Sequence, residues 1–549
     1  MNALIQGIGF DKGKKVLAGG FLLLAAFVLL MFATRSSFLY PYNDWNDANS
    51  YFSVGKALFY GKMPYRDVFD QKGMYLYFFY GLSYFVSHTT FAGVFVMEVI
   101  LAFFDLAGFF HILQLYVKRK MALFLSPLVL AVIISSKSFY WGGSAEEICF
   151  PFLVWGLFLS LRYFQRNYPE SVMSWKEIFA GGIMAGMIAN IKFTVLGFYF
   201  AWMMCIAFSF LVKKDFFGAV KGCLIFLGGM AVPFIPWLIY FGVQGGLYEW
   251  YWGYVYINVF VYSNLKGEGP GVFERIYTLS KLFYWIIRDN LVYFIFLIPG
   301  VIWFFLGKGK KWLERFHLPA LCFFLFLGIY IGGGTLPYYA LPLAVFTVMG
   351  FAFLGRGLAY LFPRVMSQAA AKQTFGECRE GLIPRSLLRG ISLEQGKKNL
   401  PRWGRRINAV PLMIGGLLVS VLLGVGIIWN NSMNISFMQV EKESHFLSRF
   451  KEIVEKEENP TLLNIGCLDA GLYTVCDIIP TCRWFQTQTL AIDDVLKEQE
   501  RYIAEGQTTF VIARDDYPEV IWENYELAAQ EEWTQDGKAY TYYLFRRNS

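Results

Sequence analysis

Four aspartates and four bases crowd residues 41–72, PYNDWNDANSYFSVGKALFYGKMPYRDVFDQK, of a chain that is otherwise strongly apolar. Asp44, Asp47, Asp67 and Asp70 stand there with Lys56, Lys62, Arg66 and Lys72, spaced by Tyr51, Gly55, Gly61, Pro64 and Tyr65. A carboxylate in such a loop can take a proton from an acceptor hydroxyl or amine, and a lysine such as Lys72 can neutralise a phosphate. A second group is the adjacent pair Glu146 and Glu147 in YWGGSAEEICFP, residues 140–151. Neighbours on a helix point about 100° apart, so at most one of the two faces a common site easily. A third is Asn190, Lys192 and Thr194 between two apolar stretches. An isolated lysine there suits a lipid-linked phosphate. Plainer readings stand beside these: capping aspartates in a solvated loop, acids favouring a helix dipole, and a lysine reaching to lipid headgroups. His88, His111, His317 and His445 are scattered without metal-ligand spacing and receive no role. No Walker loop or dinucleotide fingerprint is present, which argues against an ATP-driven pump or a redox enzyme.

The elements that must position these groups can be read locally. Residues 46–60 can form a short helix lying on a membrane, ended by Gly61, with Asp47 in its first turn where backbone amides favour an anion. Residues 248–264, YEWYWGYVYINVFVYSN, make a dense aromatic segment suited to an interfacial belt or to stacking on sugar faces. The segment GGGTLPYYALP, residues 332–342, places Tyr338 and Tyr339 at the outer mouth of an apolar stretch.

The chain as a whole has 549 residues, 56% hydrophobic, 19% aromatic and 16% charged, with a mean hydropathy of +0.42. That apolar surface exceeds what one soluble core can hide, so the expected class is an all-α polytopic membrane protein with a small α/β domain at its C-terminus. Apolar stretches lie at residues 16–34, 91–117, 121–135, 148–161, 175–191, 193–211, 223–243, 291–306, 318–332, 337–354 and 410–429, about eleven transmembrane helices. Residues 74–86 are too short and are read as not crossing. Lys12, Lys14 and Lys15, Lys118 to Lys120, Arg162 and Arg166, Lys213 and Lys214, and Lys308 to Arg315 then all fall on one side. Cytoplasmic loops carry the basic excess, so this topology has the N-terminus in and the C-terminus out. Residues 356–407, with eleven basic and three acidic residues, fall on the same cytoplasmic side. From Asn430 onward the chain carries a net −10, and the remainder +18. The expected division is a membrane module at 1–355 with an outer loop at 36–73, a basic cytoplasmic loop at 356–409, a last span at 410–429 and an outer α/β domain at 430–549. In that domain strands are expected at 461–465, 508–513 and 540–545, with helices near 492–503 and 518–527. Cys476 and Cys482 could pair there, or Cys467, Cys476 and Cys482 could be free buried thiols.

On these residues the chain resembles a family. Asp47, Tyr51 and Gly55 at intervals of four, then Gly61, Pro64, Tyr65, Asp67, Asp70 and Lys72, are similar to the first exoplasmic loop of polytopic GT-C glycosyltransferases. These include bacterial families similar to protein O-mannosyltransferases, lipid A aminoarabinose transferases and Rgt-type sugar transferases. Gly142, Gly143, Glu146, Glu147 and Pro151 are similar to their second exoplasmic loop, and Tyr338, Tyr339 and Pro342 to a late-span motif. The resemblance covers roughly the first 350 residues. It implies that a sugar is taken from a polyprenyl-phosphate donor on the outer face of a bacterial plasma membrane and moved to a glycan, lipid or protein acceptor, usually with inversion. It places Asp47 at the catalytic aspartate. Ala48 stands where many relatives carry a second acid, a role that Asp44 would have to fill. Lys72 and Lys192 would bind the donor phosphate, and Glu146 and Glu147 would hold substrate or a metal. Tyr51, Tyr65, Asp67, Asp70, Tyr338 and Tyr339 would line the substrate. No cofactor is required, a divalent metal is possible but not favoured, and no nucleic acid is involved.

Two other classes compete. A transporter or flippase for a lipid-linked glycan calls for midplane charges and paired broken helices. Only Glu98 and Asp105 answer to that, seven residues apart on one face of a span and read as contacts inside the bundle. A membrane scaffold with an outer partner-binding domain would leave the first-loop charges dispensable.

Overall fold

The computed structural model describes residues 12–261, 272–361, 409–489, 493–535 and 537–548. Helix α1, Lys12–Ala33, is followed by two short helices, α2, Asn46–Phe59, and α3, Met74–Tyr84. Then come α4, Ala92–Gln114, α5, Arg119–Ile134, α6, Ala145–Arg166, α7, Trp175–Ala189, α8, Gly197–Val212, α9, Phe216–Ala231, and α10, Ile235–Val243. The bundle is completed by α11, Val272–Asp289, α12, Leu291–Phe305, α13, Trp312–Tyr330, α14, Pro337–Leu361, and α15, Ala409–Asn431. Most of the basic stretch expected at 356–409 lies outside the described residues.

Each of the eleven apolar stretches falls on a helix. Length separates them: among the described residues, seven helical stretches are long and apolar enough to cross a membrane, or eight if α11 and α12, bent by 113° to one another, form one broken span. Helices α5 and α7, with 16 and 15 residues, extend about 22–24 Å, less than the roughly 30 Å of a hydrocarbon core. The 11 residues of α3 reach only about half way. Leu224, Ile239 and Leu422 are exposed on the bundle exterior, a position that apolar side chains hold in numbers only against lipid. The chain is a multi-pass membrane protein. Along α6, Glu146 and Glu147 stand in the first turn and Arg162 and Arg166 near the other end, about 24–30 Å away.

The C-terminal domain carries a four-stranded sheet in the order β1-β2-β4-β3, from β1, Leu462–Ile465, β2, Phe510–Arg514, β3, Tyr525–Gln535, and β4, Lys538–Arg547. Strands β1 and β2 are parallel, and the helix Asp493–Ala504 makes the crossover such a pair needs. The helix expected near 518–527 is a single turn, Ile521–Asn524, and Tyr525 already begins β3. Burial alternates along β3 and its partner β4 lies antiparallel, so the pairing of Trp533 with Tyr540 and of Glu531 with Tyr542 outweighs the poor strand propensity of its glutamates. Cys467, Cys476 and Cys482 are free thiols, which removes the Cys476–Cys482 pairing.

This domain is bolted to the segment before α2 through a buried charge cluster. Arg35 Nη1 donates to Asp44 Oδ1 at 2.7 Å and Arg35 Nε to Asn434 Oδ1 at 3.1 Å, while its guanidinium lies over the rings of Trp141 and Phe437. Trp533 Nε1 donates to Asp44 Oδ2 at 3.0 Å, and His445 Nε2 stands 3.5 Å from the same oxygen. His445 Nδ1 accepts from the Leu447 amide, which leaves the proton on Nε2, facing Asp44. Burial would raise the Asp44 carboxyl, but Arg35, His445 and Trp533 together hold it below the usual carboxylate range. Removing one partner of a buried pair strands the other charge. Arg35→Met is therefore expected to cost about 3–5 kcal/mol, read as a lower thermal midpoint in detergent together with faster proteolysis between α15 and the sheet.

Candidate functional site

Asp47 sits in the first turn of α2, where the helix dipole favours its charge. Two faces of α2 fix that turn. Asn49, Ser50, Ser53 and Lys56 follow one another at helical spacing along the face beneath the C-terminal domain. Thr474 Oγ1 donates to Asn49 Oδ1 at 2.9 Å, and Gln486 Nε2 to Ser50 Oγ at 2.6 Å. Ser53 Oγ donates to Asp469 Oδ2, and Lys56 Nζ to the Tyr473 carbonyl, both at 2.6 Å. Burial lowers the Lys56 ammonium to about 8 despite Asp477 and Asp469. On its other side α2 crosses α3 at Gly55 and Gly81, so closely that a Cβ on Gly55 would come within 2.6 Å of the Gly81 nitrogen. Gly61, with a φ of +78°, ends the turn after the helix, as its sequence position predicts.

Around Asp47 the structure gathers most of the candidate groups. Tyr338 Oη donates to Asp47 Oδ2 at 2.5 Å, the carboxylate's one hydrogen bond among the described residues. Lys192 Nζ lies 3.6 Å from the centre of the Tyr339 ring and 5.5 Å from that of Tyr338, and pairs with Glu146. Burial lowers the Lys192 ammonium more than Glu146 restores it. Lys72 Nζ stands 5.9 Å from the centre of the Tyr51 ring. Its backbone is held on both sides: Tyr65 Oη donates to the Lys72 carbonyl at 2.6 Å, and the Lys72 amide donates to Tyr77 Oη at 2.8 Å. Tyr77 in turn donates to Asp70 Oδ2 at 2.8 Å, and burial pushes the Asp70 carboxyl above the usual range. The two lysines belong to touching segments, since the Gly73 and Tyr75 amides donate to the carbonyls of Ile191 and Asn190, both at 3.3 Å. Gly73 packs so tightly there that a Cβ would lie 2.0 Å from the Asn190 oxygen.

Three candidates stand apart. Asp44 is spent on the buried cluster with Arg35, His445 and Trp533. Asp67 caps its own turn, accepting from the Met63 amide at 2.7 Å and pairing with exposed Arg66. Glu147 turns back, as the angle between neighbouring helix positions requires, and accepts from the Gly143 amide at 2.7 Å. It meets Glu98, which accepts from Thr34 at 2.8 Å, so Glu98 is a contact inside the bundle, level with the start of α6. Asp105 is buried as well. Sequence reading missed His445 in the Asp44 cluster, a residue just over 400 positions from its partner with no local signal. It also missed Tyr77 and Tyr80, which were hidden inside an aromatic run; Tyr80 Oη donates to the Gly143 carbonyl at 2.6 Å. Trp45, Tyr140 and Tyr338 form an aromatic wall beside Asp47, with ring centres 5.1 Å apart for Trp45 and Tyr338. Beyond that wall lies a cleft of about 630 Å³ lined by Arg35, Lys137, Tyr140 and Pro337 with the edge of the C-terminal domain. Among the described residues no group of three or more His, Cys, Asp or Glu side chains is arranged to hold a metal ion.

Two solved structures share this architecture over nearly its whole length: ArnT from Cupriavidus metallidurans bound to undecaprenyl phosphate, and the same protein in the apo state. Each matches with a TM-score of 0.57 and 12% identity, covering 97% of this chain and 98% of that one. The chain has the GT-C fold. At that identity the likeness is one of architecture. No family model and no curated protein matches the sequence. Within the GT-C fold of this chain, the pairing of Gly73 with Asn190 is what keeps Lys72 beside Lys192. Gly73→Ala overpacks that contact and is expected to cost about 1–3 kcal/mol. Hydrogen exchange should then quicken in residues 189–193 while the C-terminal sheet stays protected.

Proposed function

We propose that this protein is a membrane glycosyltransferase that moves a sugar from a polyprenyl-phosphate carrier to an acceptor hydroxyl or amine on the outer face of a bacterial plasma membrane. The observation that carries the reading is the meeting of one carboxylate, Asp47, with two lysines, Lys72 and Lys192, at the membrane end opposite the basic helix termini. ArnT, whose fold the chain shares, was solved bound to undecaprenyl phosphate. The basic clusters beside the spans, which fall on one side of the expected topology, fit a site that faces the other way.

In this reaction the acceptor oxygen or nitrogen forms a bond to the anomeric carbon while its proton passes to Asp47. The bond from that carbon to the phosphate oxygen breaks, and the electron pair leaves on the phosphate. The phosphate is already a leaving group, so the protein has to supply a base, a counter-charge and a dry, ordered cavity. Tyr338 holds Oδ2 of Asp47 and leaves Oδ1 for the acceptor. Lys192 exchanges Glu146 for the phosphate, and Lys72 joins it from the adjoining segment. Tyr51, Tyr338 and Tyr339 offer ring faces to the sugar. Attack from the side opposite the phosphate inverts the anomeric centre. No cofactor and no nucleic acid enter the scheme, and the acceptor is a cell-envelope glycan, lipid or protein.

The test follows loss of sugar from polyprenyl-phosphate sugars by the purified full chain in detergent. Asp47→Asn is expected to lower turnover by about 10²–10⁴-fold, the usual worth of a positioned base, with donor binding retained. A chelator is expected to leave wild-type turnover unchanged. An Asp47→Asn protein as active as wild type refutes the assignment of the base.

A further inference from the structure

A second cleft, of about 470 Å³, opens on the far side of the first loop, where the aromatic outer segment meets the C-terminal domain. Its rings come from both. Tyr248 is 70% exposed and Trp252 half-buried, while Trp484 and Tyr502 form a buried floor. Its charged groups are Glu249, Asp494 and Glu498 against Arg483 and Lys497. Two polar atoms in this lining are buried and lack a hydrogen-bond partner among the described residues: the acceptor Glu249 Oε2 and the donor Arg483 Nε. The Arg483 guanidinium lies 5.0 and 5.5 Å from the ring centres of Trp484 and Trp252.

The cleft is joined to the candidate site by the chain itself. Phe69 packs between Trp484 and Trp252, with ring centres 4.6 and 5.6 Å away, and its amide donates to the Arg483 carbonyl at 2.9 Å. Gln488 Nε2 donates to the Phe69 carbonyl at 3.1 Å, and Asn258 Nδ2 to the Gln71 carbonyl at 2.7 Å. Phe69 and Gln71 flank Asp70 and lead directly into Lys72.

We infer that this cleft is a binding subsite for the acceptor, and that the acceptor it takes is an uncharged, hydroxyl-rich oligosaccharide. Sugar rings present C–H faces that stack on aromatic planes, and their hydroxyls donate and accept at once. A sugar ring brings both kinds of group to a lining that holds an acceptor, Glu249 Oε2, and a donor, Arg483 Nε, without partners among the described residues. An apolar ligand leaves both atoms unpaired, and a polyanion meets three carboxylates against two bases. The word acceptor rests on the transferase reading above, whereas the binding of saccharide does not.

The experiment uses the full chain in detergent on an array of uncharged and polyanionic oligosaccharides, followed by titration of the best uncharged binder through tryptophan fluorescence. Trp252→Ala and Glu249→Gln are each expected to weaken that binding about tenfold, and Trp522→Ala, on an exposed ring outside the cleft, to leave it unchanged. If Trp252→Ala lowers the thermal midpoint, Tyr248→Ala takes its place. Preference for the polyanions, absence of any uncharged binder, or binding untouched by the cleft variants overturns the inference. Transfer of the donor's sugar to water, measured without saccharide, reports on the site of Asp47, Lys72 and Lys192 and not on the cleft, so a failure of the transferase reading and a failure of the subsite are told apart.

Discussion

Helix α2 is clamped between a glycine crossing and a row of buried hydrogen bonds, and the place of Asp47 follows from that clamp. Gly55 and Gly81 bring α2 and α3 into backbone contact, while Asn49, Ser50, Ser53 and Lys56 each take a hydrogen bond from or give one to a group of the C-terminal domain. Unpaired, each of those polar groups would cost about 1–3 kcal/mol in a buried setting. The membrane bundle and the distal sheet are thus one mechanical unit, although some 400 residues of chain separate the partners. The Arg35–Asp44 pair closes the same joint from the start of the loop.

That rigidity serves an electrostatic purpose. Lys72 and Lys192 are cations on touching segments, and their mutual repulsion has to be borne by the surrounding structure. Glu146, buried Asp70 and the rings of Tyr51 and Tyr339 bear it. Under the transferase reading a phosphate takes over part of that work, exchanging with a carboxylate already in place instead of entering an uncompensated pocket. Little reorganisation is then needed when the charge arrives, which is the condition for strong electrostatic stabilisation in a dry site.

The sequence carried local information well. The short helix from residue 46, its stop at Gly61, the short aromatic helix at 74–84 and the divergence of Glu146 from Glu147 follow from spacing alone, and all are present. What it did not carry were facts that depend on distant partners. Asp44 reads like Asp47 in the loop, and only Arg35, His445 and Trp533 tell the two apart. Strand β3 was obscured because its exposed face is rich in glutamate, and it is recognised by pairing with β4. Which helices cross is likewise a matter of more than composition. Apolar composition marks a helix, but α5 and α7 are shorter than a membrane is thick, and their place is set by neighbours.

The most direct measurement is a density map of the full chain in lipid nanodiscs with and without a polyprenyl phosphate. The account predicts the phosphate between Lys72 and Lys192, with the Lys192–Glu146 pair broken and Asp47 still held by Tyr338. A phosphate bound elsewhere, with Lys192 and Glu146 still paired, would contradict it.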